Sequence, residues 1–429
     1  MKTKNIIKLF LVLIITAAFN AGVFAEDTAV LKLSFDDFSK LCAENNREFK
    51  MAKLDKEIAQ ARLGQAAASF GPVISLEGGY QAVYNTFSVV PVRPWYAAQV
   101  SLQQPVFTFG KTLFGFKIAE EAYRIASVNF KKAEEKLNLD VISSYYGALI
   151  TKELMNAGKQ SLKSNEEYLK ITQAKYKSGQ ASNFEVLQAQ VQYANSRPDA
   201  RKAEDNYMLS MQMLKNTAGI SLDREVELTG EPGYSKLELT AEEIKQKFRK
   251  GSDDGDLINS AAKIAEYKKY LAGSMFLPNI AIAANYTYMS ADSAFHTEKS
   301  YWFGMWDVMV GVQWTFFNGF KNVYEFKQAA AEEEKQQLVK DNTVNLLEIQ
   351  LEQLYTGMQE SAEVIEAAGD LIKQAEEGFR IASESYKNGL IQSVDLMNAE
   401  IGLLKAKTNY YNALNNYLTS MQKLKNFIE

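Results

Sequence analysis

Histidine and cysteine are nearly absent: the 429 residues hold one of each, His296 and Cys42. That shortage excludes a Ser-His-Asp triad, a multi-histidine metal site and a cysteine-rich centre. A site made of carboxylates alone stays open in principle, yet the spacing of the acids suggests none, and no cofactor is implied. Cys42 has no disulfide partner within the chain. Proline is scarce as well, with seven in all and none after Pro278. Pro72, Pro91, Pro94, Pro105, Pro232 and Pro278 fall in or beside segments that read as strand or loop. Only Pro198 enters a helical stretch, where it should kink or break the helix. Proline-free tracts of Ala, Leu, Glu, Lys and Gln have the composition of long helices. An excess of positive charge is missing too: the formal charge is −4, which argues against nucleic acid as a partner.

The N-terminal apolar run is too short to span a membrane. Lys2, Lys4 and Lys8 precede the stretch from Leu9 to Phe19, and Val23-Phe24-Ala25 offers a small-residue cleavage site. Residues 1–25 therefore read as a secretory signal. Glu26, not cysteine, follows Ala25, so acylation is not expected. Loss of the three lysines takes the formal charge from −4 to −7.

What the chain does contain is a duplication. SMQMLKN at 210–216 returns as SMQKLKN at 420–426, and YKSGQASNFEVLQAQ at 176–190 returns as YKNGLIQSVDLMNAE at 386–400. The same register pairs Phe107 and Lys111 with Phe317 and Lys321. One offset over so long a stretch marks a tandem repeat. The halves are 26–219 and 258–429, joined by a Gly- and Asp-rich linker at 220–257.

Each half reads as helix, strand, strand, very long helix, turn, helix. In the first, Ser34 caps a helix expected to run to about Ser69, ended by Gly71-Pro72. Alternation follows over about 72–109. Ile74, Leu76, Tyr80 and Tyr84 oppose Ser75, Glu77, Gly79 and Gln81, then Tyr96, Val100 and Leu102 oppose Gln99, Ser101 and Gln103. The second half repeats this over about 278–317, with Ile280, Ile282, Tyr286 and Tyr288 against Asn285 and Thr287. Trp306, Val308, Val310, Val312 and Trp314 then oppose Asp307, Gly311 and Gln313. Strand alternation alone also suits a soluble β-sandwich. The polar, small face and the two strands per half favour an outer-membrane barrel instead, because so few strands cannot bury a sheet core. Four strands cannot seal their edges against lipid, so copies of the chain must assemble; three would supply twelve strands, though physics alone does not choose three over four. Long helices at 111–178 and 321–388 end at Gly179 and Gly389, and returning helices occupy 182–219 and 392–428 with a coiled-coil stripe. The aromatics Tyr80, Tyr84, Trp95, Tyr96, Tyr286, Tyr288, Trp302, Trp306 and Trp314 read as a membrane-interface girdle.

This arrangement resembles the TolC-like outer-membrane efflux and secretion proteins. The residues carrying the resemblance are LSFDDFSKLCAENNRE (33–48), LQQPVFTFGK (102–111) and the two turn motifs. Arg47 stands where the family commonly has proline, and Phe320 stands where Gly110 predicts glycine. The resemblance implies an α+β membrane protein: a homotrimer whose twelve-stranded barrel continues into a helical tunnel through the periplasm. Its partners would be a periplasmic adaptor, an inner-membrane transporter and outer-membrane lipid, with no catalytic step. It implies that Gly179, Gln180, Ala181, Gly389, Leu390 and Ile391 form the adaptor-docking tip. Asp395 matches a family position that lines the constriction as a ring of carboxylates, where Asn398 replaces a second acid; the other reading of Asp395 is a solvated carboxylate at a helix start. Glu185 and Tyr386 match a pair whose hydrogen bond holds the closed tip, with Ile391 in place of the family's basic partner. The rival reading from another class is a structural coiled-coil envelope spacer or adhesin.

Overall fold

Ser34 and Asn46 set the first two helix boundaries of this fold. A computed structural model describes residues 30–81, 95–230, 243–244, 253–290 and 295–428. The signal segment, most of the linker and Tyr84 lie outside the described residues. After strand β1 (Leu31–Leu33), Ser34 accepts a hydrogen bond from the Asp37 N–H and starts α1 (Phe35–Asn45). The single helix expected to reach Ser69 is in fact two. Asn46 breaks it, accepts from the Phe49 N–H at 2.9 Å and starts α2 (Arg47–Ala68). Arg47 is thus the first residue of a helix, the position where proline is favoured, which accounts for the family's preference there.

Strands β2 (Val73–Gln81) and β3 (Trp95–Phe107) lead into α3 (Lys111–Lys177), and α4 (Asn183–Thr217) returns. Of the kink or break expected at Pro198, the break does not occur: α4 continues through it as one helix. Its packing along α3 outweighs the roughly 3 kcal/mol that an interior proline costs. β4 (Val226–Leu228) pairs parallel with β1. The second half comprises α5 (Asp253–Ser274), β5 (Asn279–Ser290), β6 (Phe303–Gln313), α6 (Lys321–Lys387) and α7 (Ser393–Ile428). The end of the expected linker is therefore already helical, with Asp253, Asp254 and Asp256 in the first turn of α5, where the helix dipole favours acids.

α3 and α6 are 67 residues each, or about 100 Å. Shorter helices stack end to end to match them. The Asn46 side chain donates to the Thr217 carbonyl at 2.9 Å, joining α4 to α2. The Asn426 side chain donates to the Glu135 carbonyl at 2.8 Å, tying the end of α7 to α3, and Lys131 and Lys132 pair with Asp253 and Asp254 at the start of α5. Four rods thus stand side by side: α4 with α2, then α3, then α7 with α5, then α6.

The apolar core is spread along these seams. One cluster joins Leu33, Phe38, Cys42, Leu137, Tyr145 and Leu214 under the small β1–β4 sheet, where the Tyr145 hydroxyl donates to the Thr229 carbonyl at 2.8 Å. Another joins Leu351, Met358 and Ile365 of α6 to Leu414, Tyr417 and Leu418 of α7.

Candidate functional site

The four long strands form one antiparallel sheet in the order β2-β3-β5-β6, which leaves β2 and β6 as open edges among the described residues. Its register separates two faces. Leu76 faces Val100, Val100 faces Tyr286, and Tyr286 faces Trp306, so one row is apolar across the sheet. On the other face the row is Ser75, Ser101, Asn285 and Asp307. Within it the Ser75 and Ser101 hydroxyls lie 2.7 Å apart, and the Asn285 amide donates to Asp307 at 2.9 Å. Among the described residues no core covers the apolar face: Leu76 is 76 % exposed, Trp306 76 % and Val310 68 %. An uncovered apolar sheet face opposite a hydrogen-bonded polar one suits lipid outside and water within.

Aromatic residues collect at both ends of that face. At the loop end, Tyr80, Tyr96, Phe295, Trp302 and Tyr288 form an unbroken chain of ring contacts with centroids 4.8 to 5.8 Å apart. The Trp302 indole also donates to the His296 carbonyl at 2.7 Å. At the helix end stand Phe107, Phe109, Trp314, Phe316, Phe317 and Phe320. From Trp302 to Trp314 is about 40 Å along the chain, or roughly 28 Å across a membrane at a 45° tilt. Trp302 and Trp314 lie just outside β6. One member of the expected girdle is misplaced: Trp95 pairs with Gln81 and shares the polar face with Gln99 and Ser101.

At the far end of the rods, both turns are built alike. Gly179 and Gly389 adopt φ of 76° and 72°, which favours glycine. The N–H groups of Gly179 and Gln180 donate to the carbonyls of Tyr176 and Lys175; those of Gly389 and Leu390 donate to Tyr386 and Ser385. Each is the paired-bond helix terminus that a left-handed residue allows. Gly179, Gln180, Gly389 and Leu390 are exposed, whereas Ala181 and Ile391 are half-buried. Ile391, in the place of a basic residue, packs against the Tyr168–Tyr386 cluster.

The expected Glu185–Tyr386 hydrogen bond is not made. Glu185 closes a capping box with Ser182, its carboxylate accepting from the Ser182 N–H at 2.6 Å. The spacing Ser182-x-x-Glu185 carries that signal in the sequence. Tyr386, 5 % exposed, turns to α3 instead. Its hydroxyl lies 3.0 Å from Thr172 Oγ1, and Thr172 donates its one hydroxyl proton to the Tyr168 carbonyl, so the tyrosine is the donor. Lys175 Nζ donates to the Tyr386 carbonyl at 3.0 Å and sits 4.1 Å from the ring centroid. A cation does hold this tyrosine, but it comes from α3 and no local pattern marks it. Burial, foremost, pushes the Tyr386 phenol above its ordinary value. Asp395 is exposed, its carboxylate accepting from the Gln392 N–H at 3.1 Å; Asn398 is exposed one turn on.

Known proteins share this architecture. The Campylobacter jejuni CmeC outer membrane channel superposes with a TM-score of 0.80 at 16 % identity, over 92 % of this chain and 85 % of that one. The Vibrio cholerae outer membrane protein VceC gives 0.76 at 16 % identity, over 92 % and 95 %. In sequence, the alkaline protease secretion protein AprF of Pseudomonas aeruginosa is 21 % identical over 77 % of this chain and 69 % of its own. Outer membrane protein TolC of Vibrio cholerae is 24 % identical over 43 % of each chain. The profile of the outer membrane efflux protein family matches residues 39–219 and 259–428, which is most of both halves. The chain therefore belongs to the outer membrane efflux protein family: it is an outer-membrane exit duct for efflux or secretion, not an enzyme.

Proposed function

We propose that three copies of this chain close a twelve-stranded barrel and that their rods continue it as a tunnel into the periplasm. The observation that carries this reading is the open sheet. Among the described residues β2 and β6 have unpaired edges, and the apolar face between them has no cover in a single chain. In lipid every backbone group needs a partner, so neighbouring copies must pair those edges. Residues 1–25 direct the chain out of the cytoplasm and are removed. The two rings of aromatics then anchor the barrel in the outer membrane, and the row from Ser75 to Asp307 lines its lumen.

The exposed turns at Gly179 and Gly389 meet a periplasmic adaptor, which couples the duct to an inner-membrane transporter. Asp395 faces the constriction at that tip, and the Tyr386 contacts with Thr172 and Lys175 hold the tip narrow. Substrate passes by diffusion, and selection resides in the transporter. The alternative of a coiled-coil spacer with a soluble cap has no support in the sheet, whose apolar face would be left in water. Mass determination of the protein purified from outer membranes in detergent tests the proposal. Three chains per particle are expected, and a stable folded monomer would refute the assembly.

A further inference from the structure

Glu400 is an acid in an unusual place. It lies on α7 and is 8 % exposed even in the single chain. One carboxylate oxygen accepts from the Ser161 hydroxyl at 2.8 Å and from the Asn165 amide at 3.2 Å, both on α3. Asn165 is 1 % exposed; its amide also donates to the Ser161 carbonyl, while its own oxygen has no partner. The Tyr168 hydroxyl, buried one turn further along α3, is likewise unpartnered. Leaving a buried acceptor unpaired is costly. A proton on Glu400 would supply a donor to a cluster that has an acceptor to spare.

Beyond those two donors, the surroundings give the ionised form little help. Glu400 borders a cavity of about 730 Å³ between α3, α4 and α7, and another of about 240 Å³ between α3, α6 and α7. The charged or titratable groups bordering these cavities are Asp199 and Lys202 of α4, Glu167 and Tyr168 of α3, Tyr386 and Lys387 of α6, and Lys405 of α7. Lys407 of α7, beside a smaller cavity, pairs with Glu376 at 3.1 Å. Among the described residues none of these lysines forms an ion pair with Glu400. Burial raises its carboxyl above the ordinary 4.5, and the Ser161 hydrogen bond opposes that rise. The feature belongs to one half only. At the same register the first repeat has Gln190, which is exposed, and the long helix of the second has Leu371 and Ala375 in place of Ser161 and Asn165.

We propose that Glu400 is a proton-operated clasp across the seam between α3 and α7, holding the two helical hairpins together when neutral and loosening them when ionised. Asn165 lies roughly 20 Å from the turn at Gly179, so the clasp stands above the Tyr386 contacts on the same pair of hairpins. The sign follows from linkage. The native chain binds this proton more tightly than the unfolded chain does. Its contribution is therefore fully present below 4.5 and is lost as pH rises through the higher native value. The consequence for transport rests on the reading of the tip as a gate; the clasp itself does not.

Hydrogen exchange of the intact protein in detergent, at several pH values from 5 to 8 and corrected for intrinsic rates, separates the two. Segments 157–168 and 396–405 should open less often as pH falls, by up to about tenfold per pH unit within the transition. Glu400→Gln, a permanently neutral side chain, should remain protected and flat across the range. Ser161→Ala, which removes a donor favouring the ionised form, should move the transition to higher pH. A flat wild-type profile, a Glu400→Gln profile like the wild type, or an unmoved Ser161→Ala transition each overturns the clasp. Leak conductance in planar bilayers at the same pH values then tests the gate. If the seam responds and the conductance does not, the clasp stands and the tip is not the gate.

Discussion

Glu185 and Asp395 occupy one position of the duplicated chain and make the same bond there. Each carboxylate reaches back to the backbone N–H three residues earlier, that of Ser182 at 2.6 Å and that of Gln392 at 3.1 Å. Starting a helix and lining a constriction are therefore separable roles for Asp395. Asparagine can still accept the N–H but carries no charge. Asp395→Asn should keep the fold and the melting temperature while reducing cation selectivity and cation block in single-channel recordings. Unchanged selectivity would leave Asp395 as a helix cap alone.

Tyr386→Phe removes the donor to Thr172 and keeps the ring under Lys175. Thr172 still donates to the Tyr168 carbonyl, so the loss is one buried hydrogen bond, about 1 kcal/mol. That is about fivefold in the closed-to-open ratio of the tip, read as a higher resting leak in planar bilayers. A leak equal to wild type would remove this bond from the gate.

At the head of the two long helices the residues Phe109-Gly110 of one half become Gly319-Phe320 in the other, and all four have positive φ. Phe320, at 66°, is the bulky residue where its counterpart is glycine. Left-handed backbone costs an ordinary residue roughly 1–2 kcal/mol, and glycine gives back part of that through its greater freedom when unfolded. Phe320→Gly should raise the stability of the assembled protein by up to about 1 kcal/mol, seen as a higher thermal midpoint. Destabilisation would show that the Phe317–Phe320 ring contact outweighs the backbone strain.

The two faces of the sheet should respond oppositely to charge. Val310 lies in the second half of β6 on the uncovered apolar face. Val310→Arg should cost about 2–4 kcal/mol in lipid and lower the recovery of folded protein from outer membranes. Ser101→Lys, on the polar face, should assemble normally and shift the conductance toward anions. Equal recovery of the two variants would contradict this assignment of faces.

Space is open around the Gly389 backbone: a Cβ built there meets nothing within 4 Å. Gly389→Trp therefore adds backbone strain of roughly 1–2 kcal/mol with no clash at its Cβ on an exposed turn, and should leave an assembled protein. If the turn docks the adaptor, that variant loses export, measured as substrate retained by cells. Normal export would place the docking surface elsewhere.

Much of this protein was legible in the linear chain because it is local or repeated. The 210-residue register, the proline-free tracts of α3 and α6, and the period-two alternation of the strands all follow from near neighbours in sequence. Barrel faces and helical rods could be read from them, as could the glycines at both turns. The tertiary structure decided what depends on residues far apart. It split the first helix at Asn46, whose side chain bonds Thr217 of another rod, and it carried α4 through Pro198 by packing it on α3. It also gave Tyr386 to Thr172 and Lys175, and Glu400 to Ser161 and Asn165, choices made by the meeting of helix surfaces more than two hundred residues apart. Periodicity tells a helix which side to bury; only the packed neighbour determines which polar groups on that side find partners.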